Sequence, residues 1–547
     1  MSHNNASGLN KMDVLFVGAG PASLAGAIKL KQLLKAKGRN DSVVVIEKAD
    51  KIGQHSLSGA VFEADVLEEL VLGWQEDRSK FVAGMVKSKV VKDEVVFLLG
   101  NKLAIKVPHF IVPSYLKHHG DYLISVSELV NWLAQIARSL GVEIYNGFVA
   151  REVVVEGGVV TGVKLGDKGL DEKGQPQSNY VPGEMLKARV TVLGEGSLGL
   201  LSEQLVDKLN LGKNQNTQIQ SLGVKEIIRL PQDSKFGHGH VVDTMGFPNK
   251  FFTPDIFGGG TFYSMGDNDV AVTINLALDW KYCDLDPHQE LQLLKSHPFV
   301  AGILNEGKVM FYGAKTIPEG GYYSIPELVA NGAIIVGDAA GLLSTRKLKG
   351  LHYAIKSGML AAETISGALE KGDFSVQSLG KYTDLLHHSF VGRDLYGARN
   401  YRQLFARAGR FAMYLGTLNS FFHGMVRGRM KLKPDFQHTT TAKLARKYRG
   451  GIDKLTDVSL SGTTHREDEP SHITILNRAL CTPCVARYGA APCEAFCPGQ
   501  VYRWDDGGIV LSPSNCLHCQ TCRVKCPFQN IGWQLPEGGD GPKYKVM

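Results

Sequence analysis

The most constraining feature of this chain is where its cysteines stand: eight of the nine fall between Cys481 and Cys526, in a sequence of 547 residues. The second half of the block reads Cys516-Leu-His-Cys519-Gln-Thr-Cys522-Arg-Val-Lys-Cys526-Pro527. C-x2-C-x2-C-x3-C-P is a spacing that holds [4Fe–4S] clusters. Three thiolates on one tight loop wrap a face of the cube, and the fourth, before a proline that turns the chain, points to a different cluster. The first half reads Cys481-Thr-Pro-Cys484, then eight residues, then Cys493-Glu-Ala-Phe-Cys497-Pro498. It is the same device with a longer stretch before its third thiolate. Crossing the halves assigns Cys497, Cys516, Cys519 and Cys522 to one cluster and leaves Cys481, Cys484, Cys493 and Cys526 for a second. Zinc also uses C-x2-C pairs, and disulfides are the other bland use of cysteine. Two C-x3-C-P units, in a chain otherwise poor in cysteine, weigh against both.

Composition narrows the class. Hydrophobic residues at 44% and charged residues at 21% are those of a globular protein with sizeable cores, and the length allows several domains. A net charge of +7 is mild for this length and gives no case for nucleic acid as a partner. No apolar run reaches the roughly 20 residues needed to span a bilayer. The first residues, MSHNNASGLNKMD, lack both the apolar core of a secretion signal and the Arg-rich pattern of a transit peptide. Thiolate ligands need reducing surroundings during assembly. The expected compartment is the cytoplasm, or the mitochondrial matrix if a presequence has been removed.

A nucleotide-binding unit opens the chain. Met12 to Val17 read as a short apolar strand running into Gly18-Ala-Gly20-Pro21-Ala22-Ser23, followed by a helix-like pattern at Leu24, Ala27, Ile28, Leu30, Leu33 and Leu34. Val43 to Ile46 make a second strand that ends at Glu47 and Lys48. Strand, glycine turn, helix, strand and acid form the dinucleotide fingerprint. Gly18 permits the tight turn, Gly20 lets a pyrophosphate approach the backbone, and Glu47 would accept from the ribose hydroxyls. Ser23 replaces the third glycine and is small enough for close helix–strand packing. Further on, the strand Ala333 to Val336 runs into Gly337-Asp338, a unit that in flavoproteins sets the aspartate on the ribityl and pyrophosphate region. No second complete glycine fingerprint is present for a nicotinamide cofactor, so the expected tenant is one FAD.

With these motifs in hand, the chain resembles the electron-transfer flavoprotein:ubiquinone oxidoreductase family along nearly its whole length. The segments that carry the likeness include VGAGPASLAGAIKLKQL, EKADKIGQHSLSGAVF, IPEGGYYSIPEL, KLKGLHYAIKSGMLAAE, SLSGTTHREDEPSHITI and NCLHCQTC. The resemblance implies an α/β fold. A discontinuous Rossmann-type FAD-binding domain (1–60, 136–220, 326–375) would interleave with an α+β quinone and membrane domain (61–135, 221–325). A helical membrane-surface segment and linker (376–470) and a C-terminal ferredoxin-like domain (471–547) would follow. It places Ser58 and Gly59 near the flavin and Gly350 and Leu351 at the start of the helix facing its pyrimidine side. It also matches Phe257, Gly258 and Gly259 to the stretch lining the family's quinone pocket, although a glycine-rich hairpin turn accounts for that motif equally well. Familiar members carry one cluster, on the positions of Cys497, Cys516, Cys519 and Cys522; the other quartet is a departure.

Two segments bear on a membrane. Leu103 to Leu116 is apolar, proline-bearing and flanked by Lys102, Lys106 and Lys117. Leu404, Ala408, Phe411, Leu415, Leu418, Phe422 and Met425 recur at steps of four and three, one helical stripe, with Arg402, Arg407 and Arg410 before its middle and Arg427, Arg429, Lys431 and Lys433 after it. Most such stripes pack into a protein's own core, but the family resemblance implies a monotopic anchor here. A later basic run, Lys443, Arg446, Lys447 and Arg449, reads as a solvated face, with docking of an acidic partner as the alternative.

Clusters carry one electron, flavins one or two, and quinones need two. The expected function is therefore a peripheral oxidoreductase, on the cytoplasmic or matrix face of a membrane. It would pass electrons from reduced electron-transfer flavoprotein through [4Fe–4S] and FAD to ubiquinone or menaquinone, with no acid–base catalytic residue named. The alternatives are a ferredoxin-fused polyprenyl (geranylgeranyl) reductase and a non-catalytic electron carrier. His238, His240, His387 and His388 are expected to be structural.

Overall fold

In the computed structural model of the chain, the described residues are 11–57, 61–76, 84–234, 236–250, 255–304, 306–408, 426, 428–444, 446, 450–505 and 507–547. Ser58, Gly59, Phe411, Leu415, Leu418, Phe422, Met425, Arg410, Arg427, Lys447 and Arg449 lie outside them.

Strand Lys11–Val17 sits in the middle of the first sheet because Val14, Leu15 and Phe16 are apolar on both faces and fully buried, the pattern of a strand covered on two sides. The strand order is Val329–Ala330, Ala333–Ile335, Met185–Leu193, Lys11–Val17, Val43–Glu47, Glu143–Asn146, and every pair from Ala333–Ile335 onward is parallel. Helix Pro21–Ala36, which begins with proline at a position where no intrahelical N–H is missed, crosses the long helix Leu351–Lys371. Glycines set how closely they cross. A Cβ on Gly358 would lie 1.9 Å from the Ala22 carbonyl oxygen, so the two backbones touch where only hydrogen fits.

The second sheet has seven strands in the order Lys308–Pro318, Gln220–Arg229, Asp269–Ala277, Gly258–Ser264, His240–Gly246, Lys92–Leu99, Leu103–Lys106. All its pairs are antiparallel except His240–Gly246 beside Lys92–Leu99. The glycine motif lies inside this sheet and not in a hairpin turn. Gly258, at φ +148°, approaches the Asn275 carbonyl so closely that a Cβ would stand 1.9 Å from its oxygen.

The cysteine domain is built from two two-stranded sheets, Ile473–Ile475 with Ile531–Trp533 and Tyr502–Asp505 with Gly508–Leu511, and three short helices, Cys481–Tyr488, Pro492–Phe496 and Thr521–Lys525. It is wedged against both larger sheets. Arg523 pairs with Glu203 at 2.5 and 2.9 Å, Lys525 Nζ donates to the Trp280 carbonyl at 2.6 Å, and Tyr312 donates to the Pro498 carbonyl at 2.9 Å. The final residues run back to helix Val126–Ser139, where Ser127 donates through Oγ to Lys545 and through N–H to Met547, itself fully buried.

Two charged residues of the basic segments are not where a lipid- or solvent-facing reading put them. Arg402 has a side chain only 2% exposed and is clamped by Asp279 at 2.7 Å and Glu319 at 3.0 Å, because those two buried carboxylates need a cation between them. Arg446 packs on the Pro248 carbonyl and lies 3.3 Å from Glu290.

Candidate flavin and iron–sulfur site

One cavity of about 420 Å³ runs between the two sheets and is lined by residues from nearly every segment singled out above. Gly18, Gly20, Pro21, Ala22, Glu47 and Lys48 line it, together with Gly337, Asp338, Gly350 and Leu351, and with Phe257, Gly258 and Gly259 from the second sheet and its approach. Gly18 adopts φ +89°, and a Cβ on it would lie 2.8 Å from the Gly194 carbonyl oxygen, which closes the position to any other residue. Ser23 does not line the cavity. It is fully buried and packs against Gly194, where a Cβ would meet its hydroxyl at 2.2 Å.

Around the glycine turn the cavity gathers an acid, free helix amides and two lysines. Glu47 closes strand Val43–Glu47, and its carboxylate accepts from the N–H groups of Ala19 at 2.8 Å and Ala49 at 2.9 Å. Helix Pro21–Ala36 presents its N-terminal amides beside it with no side-chain cap, the arrangement that receives phosphate. Desolvation pushes Asp338 up to about 6, against the pull of Lys315. Lys315 is lowered by burial in turn, with Asp338, Glu47 and Cys519 acting the other way. Burial, with repulsion from Lys315, brings Lys48 down to about 8. An anionic cofactor filling the cavity would relieve both lysines.

Around Phe257 the lining is aromatic. Phe257 meets Phe405 edge to face at 4.8 Å, Phe405 leans on Tyr401 at 5.2 Å, and the Arg402 guanidinium lies 4.5 Å from the Phe257 ring centre. His118 also lines the cavity, 3.0 Å from Asp243 and 3.5 Å from Asp121. Burial opposes its charge, but those two hydrogen bonds outweigh it and hold the imidazole up to about 9.

The cysteine loop forms part of the cavity wall. Gln520, next to Cys519, lines the cavity and donates to the Leu198 carbonyl at 3.2 Å. Thr316 lines it too and donates to the Cys519 carbonyl at 2.9 Å. All nine cysteines are free thiols, so the disulfide alternative falls. Cys497, Cys516, Cys519 and Cys522 are buried, and backbone N–H groups of Val501 and His518 point at the sulfurs of Cys497 and Cys516 at 3.5 and 3.4 Å. Burial together with the neighbouring thiols Cys519 and Cys497 raises Cys516, and burial with Cys519 raises Cys497 to about 11. Sulfurs so placed are thiolates only when a metal centre holds them.

The sequence gives no signal for Lys315, Thr316 or His118, whose segments carry no local signature; Gln520 lies inside a recognised motif, and Arg402 reads there as a flank of the apolar stripe.

A Rossmann-type sheet with a glycine cradle, and a cysteine domain pressed on its cavity, define a flavin-dependent oxidoreductase with an iron–sulfur module. Comparison with known proteins narrows the class. Residues 450–545 match the family model described as electron transfer flavoprotein-ubiquinone oxidoreductase, 4Fe-4S, and residues 220–317 match the model described as ETF-QO, ubiquinone-binding. The chain is 38% identical to the mitochondrial electron transfer flavoprotein-ubiquinone oxidoreductase of Arabidopsis thaliana, covering 98% of this chain and 84% of that protein. It is 37% identical to the protein of that name from Pseudomonas aeruginosa (98% and 99%) and 35% to the human mitochondrial one (98% and 89%). The chain belongs to the electron transfer flavoprotein-ubiquinone oxidoreductase family. Among solved structures, a geranylgeranyl bacteriochlorophyll reductase-like protein from Thermoplasma acidophilum superposes with a TM-score of 0.56 at 19% identity, over 76% of this chain and 92% of that one; the likeness is one of fold.

Proposed function

We propose that the chain takes single electrons from a reduced electron-transfer flavoprotein and delivers them, through an iron–sulfur cluster on Cys497, Cys516, Cys519 and Cys522 and an FAD in the cavity, to a quinone at a membrane surface. The observation that carries this reading is the continuity of one cavity from Glu47 to Phe257, with Gln520 and Thr316 linking its wall to the cluster loop. When bound, the cluster exchanges one electron and the flavin one or two, so two donor turnovers and two protons turn a quinone into a quinol.

The chain's own groups place and tune these partners. Glu47 would receive the ribose hydroxyls and Asp338 the ribityl region, while Lys48 and Lys315 bring positive charge to an anionic tenant. Phe257, Tyr401 and Phe405 form a wall for a planar apolar ring, and Gly258 and Gly259 expose backbone there. His118 holds a proton at the cavity between Asp121 and Asp243.

A membrane-borne quinone is supported by the segment beside the cavity. Leu116 lines the cavity, and just before it Leu103, Ile105, Phe110 and Ile111 are 54%, 45%, 84% and 56% exposed. Lys102, Lys106 and Lys117 flank them, a pattern suited to an interface rich in anionic lipid. Among the described residues no helix is long and apolar enough to cross a membrane, so the seating we propose is peripheral, on the cytoplasmic face of a bacterial membrane or the matrix face of a mitochondrial one. Steady-state quinone reduction by purified protein and reduced electron-transfer flavoprotein, with and without liposomes, tests this. Turnover that liposomes enhance supports it; flavin that stays reduced in the presence of quinone, or a polyprenyl double bond consumed instead, overturns it.

A further inference from the structure

We propose that Cys481, Cys484, Cys493 and Cys526 hold a second [4Fe–4S] cluster, nearer the surface than the first, so that the domain is a two-cluster wire. The fold builds the two Cys-Pro units alike. After Cys497-Pro498, Gln500 turns through a left-handed φ of +52° and the N–H of Val501 points at the Cys497 sulfur at 3.5 Å. After Cys526-Pro527, Gln529 does the same at +48° and the N–H of Asn530 points at the Cys526 sulfur at 3.4 Å. A left-handed glutamine is disfavoured, and its recurrence at the same place in both halves marks a turn shaped to aim an amide at a thiolate.

Cys481 is tied to Cys526 through Asn530. Cys481 and Cys484 lie on the first turn of helix Cys481–Tyr488, and Cys493 on helix Pro492–Phe496. Asn530 joins the two ends of the quartet: its N–H serves Cys526, its Nδ2 lies 3.7 Å from the Cys481 sulfur, and it pairs with the Asn477 backbone at 2.7 Å through both amide atoms.

Burial orders the two sites. The inner four cysteines are buried against the flavin cavity, whereas Cys481, Cys484 and Cys493 are half-buried. Leu476 and Leu480, just before Cys481, are 67% and 36% exposed. Electrons would pass from the surface to the outer cluster, across the Cys493–Cys497 side to the inner one, and then to the flavin, one at a time. That direction rests on the function proposed above; the presence of the cluster does not.

The test is metal and sulfide analysis of the full chain purified without oxygen. About eight iron and eight acid-labile sulfide per FAD are expected, falling to about four in Cys484→Ser and in Cys481→Ser with FAD content unchanged. Dithionite-reduced wild type should give an electron paramagnetic resonance signal broadened by coupling between two clusters, and the variants a simple signal from one. About four iron in the wild type, zinc in place of the additional iron, or variants that keep all their iron would overturn the proposal. If a serine variant does not fold, the wild-type count and its spin coupling decide alone. Eight iron with no quinone reduction would leave the second cluster standing and remove the direction of flow.

Discussion

Gln520 Nε2 donates to the carbonyl of Leu198 at 3.2 Å, tying the residue that follows Cys519 to the loop after strand Met185–Leu193. Both residues line the flavin cavity, so the cluster loop and the cofactor cradle share a wall without intervening side-chain layers.

Replacing Glu47 by Gln puts an NH2 group against at least one of the two N–H donors it now serves, Ala19 and Ala49. Hydrogen bonds to a charged partner contribute about 1.5–3 kcal/mol. FAD affinity is expected to fall at least tenfold, read as the free flavin released on dialysis, with the cluster content unchanged.

Gly358→Ala sets helix propensity against packing. Alanine favours the helix by about 1 kcal/mol. Its Cβ, however, would press on the Ala22 backbone, which cannot swing aside like a flexible side chain. Overpacking of this kind costs about 1–3 kcal/mol, so a lower melting temperature and loss of FAD are expected, because helix Pro21–Ala36 carries the phosphate-facing amides. An unchanged melting temperature would show that the two helices can separate.

Removing Arg402 leaves Asp279 and Glu319 buried without their cation. Arg402→Leu is expected to destabilise the protein by about 3–5 kcal/mol, the range for breaking a buried ion pair on one side. It also frees Phe257 from the guanidinium on its face, so KM for quinone should rise more than kcat falls. Arg402→Lys should recover part of the stability.

His118 gives the protein a pH-dependent contribution of known sign. Its folded-state pKa of about 9 lies above the ordinary histidine value of 6.5, so its stabilisation is fully present below pH 6.5 and is lost as pH rises through 9. A shift of this size corresponds to about 3 kcal/mol. Denaturant titrations at pH 6 and pH 9.5 should show the difference in wild type and a flatter profile in His118→Gln.

The parts of this site written as local patterns were legible in the sequence. The apolar run before Gly18, the acid at Glu47, the strand before Asp338 and the thiol spacing each follow from a single segment's geometry; the cavity collects the first three, and the thiol-bearing loop reaches it through Gln520. Thr316 was invisible because a single threonine in strand Lys308–Pro318 carries no local pattern, and only docking turns its hydroxyl toward the Cys519 carbonyl. Arg402 misled for a physical reason: a basic residue beside an apolar helical stripe looks the same whether its partner is a lipid phosphate or a carboxylate from a distant strand. Gly258 to Gly260 suggested a turn because glycine marks turns; here the missing side chains instead let neighbouring strands approach.

The carboxyl-terminal residues held by Ser127 have a kinetic consequence. With Met547 sealed under helix Val126–Ser139 and Lys525 pinned to Trp280, the cysteine domain has no freedom to ferry charge by swinging. A cluster and a flavin bound here would keep a fixed separation, so the internal hop should proceed equally fast in water and in viscous sucrose, leaving collision with the donor as the step that thickening the solvent can slow.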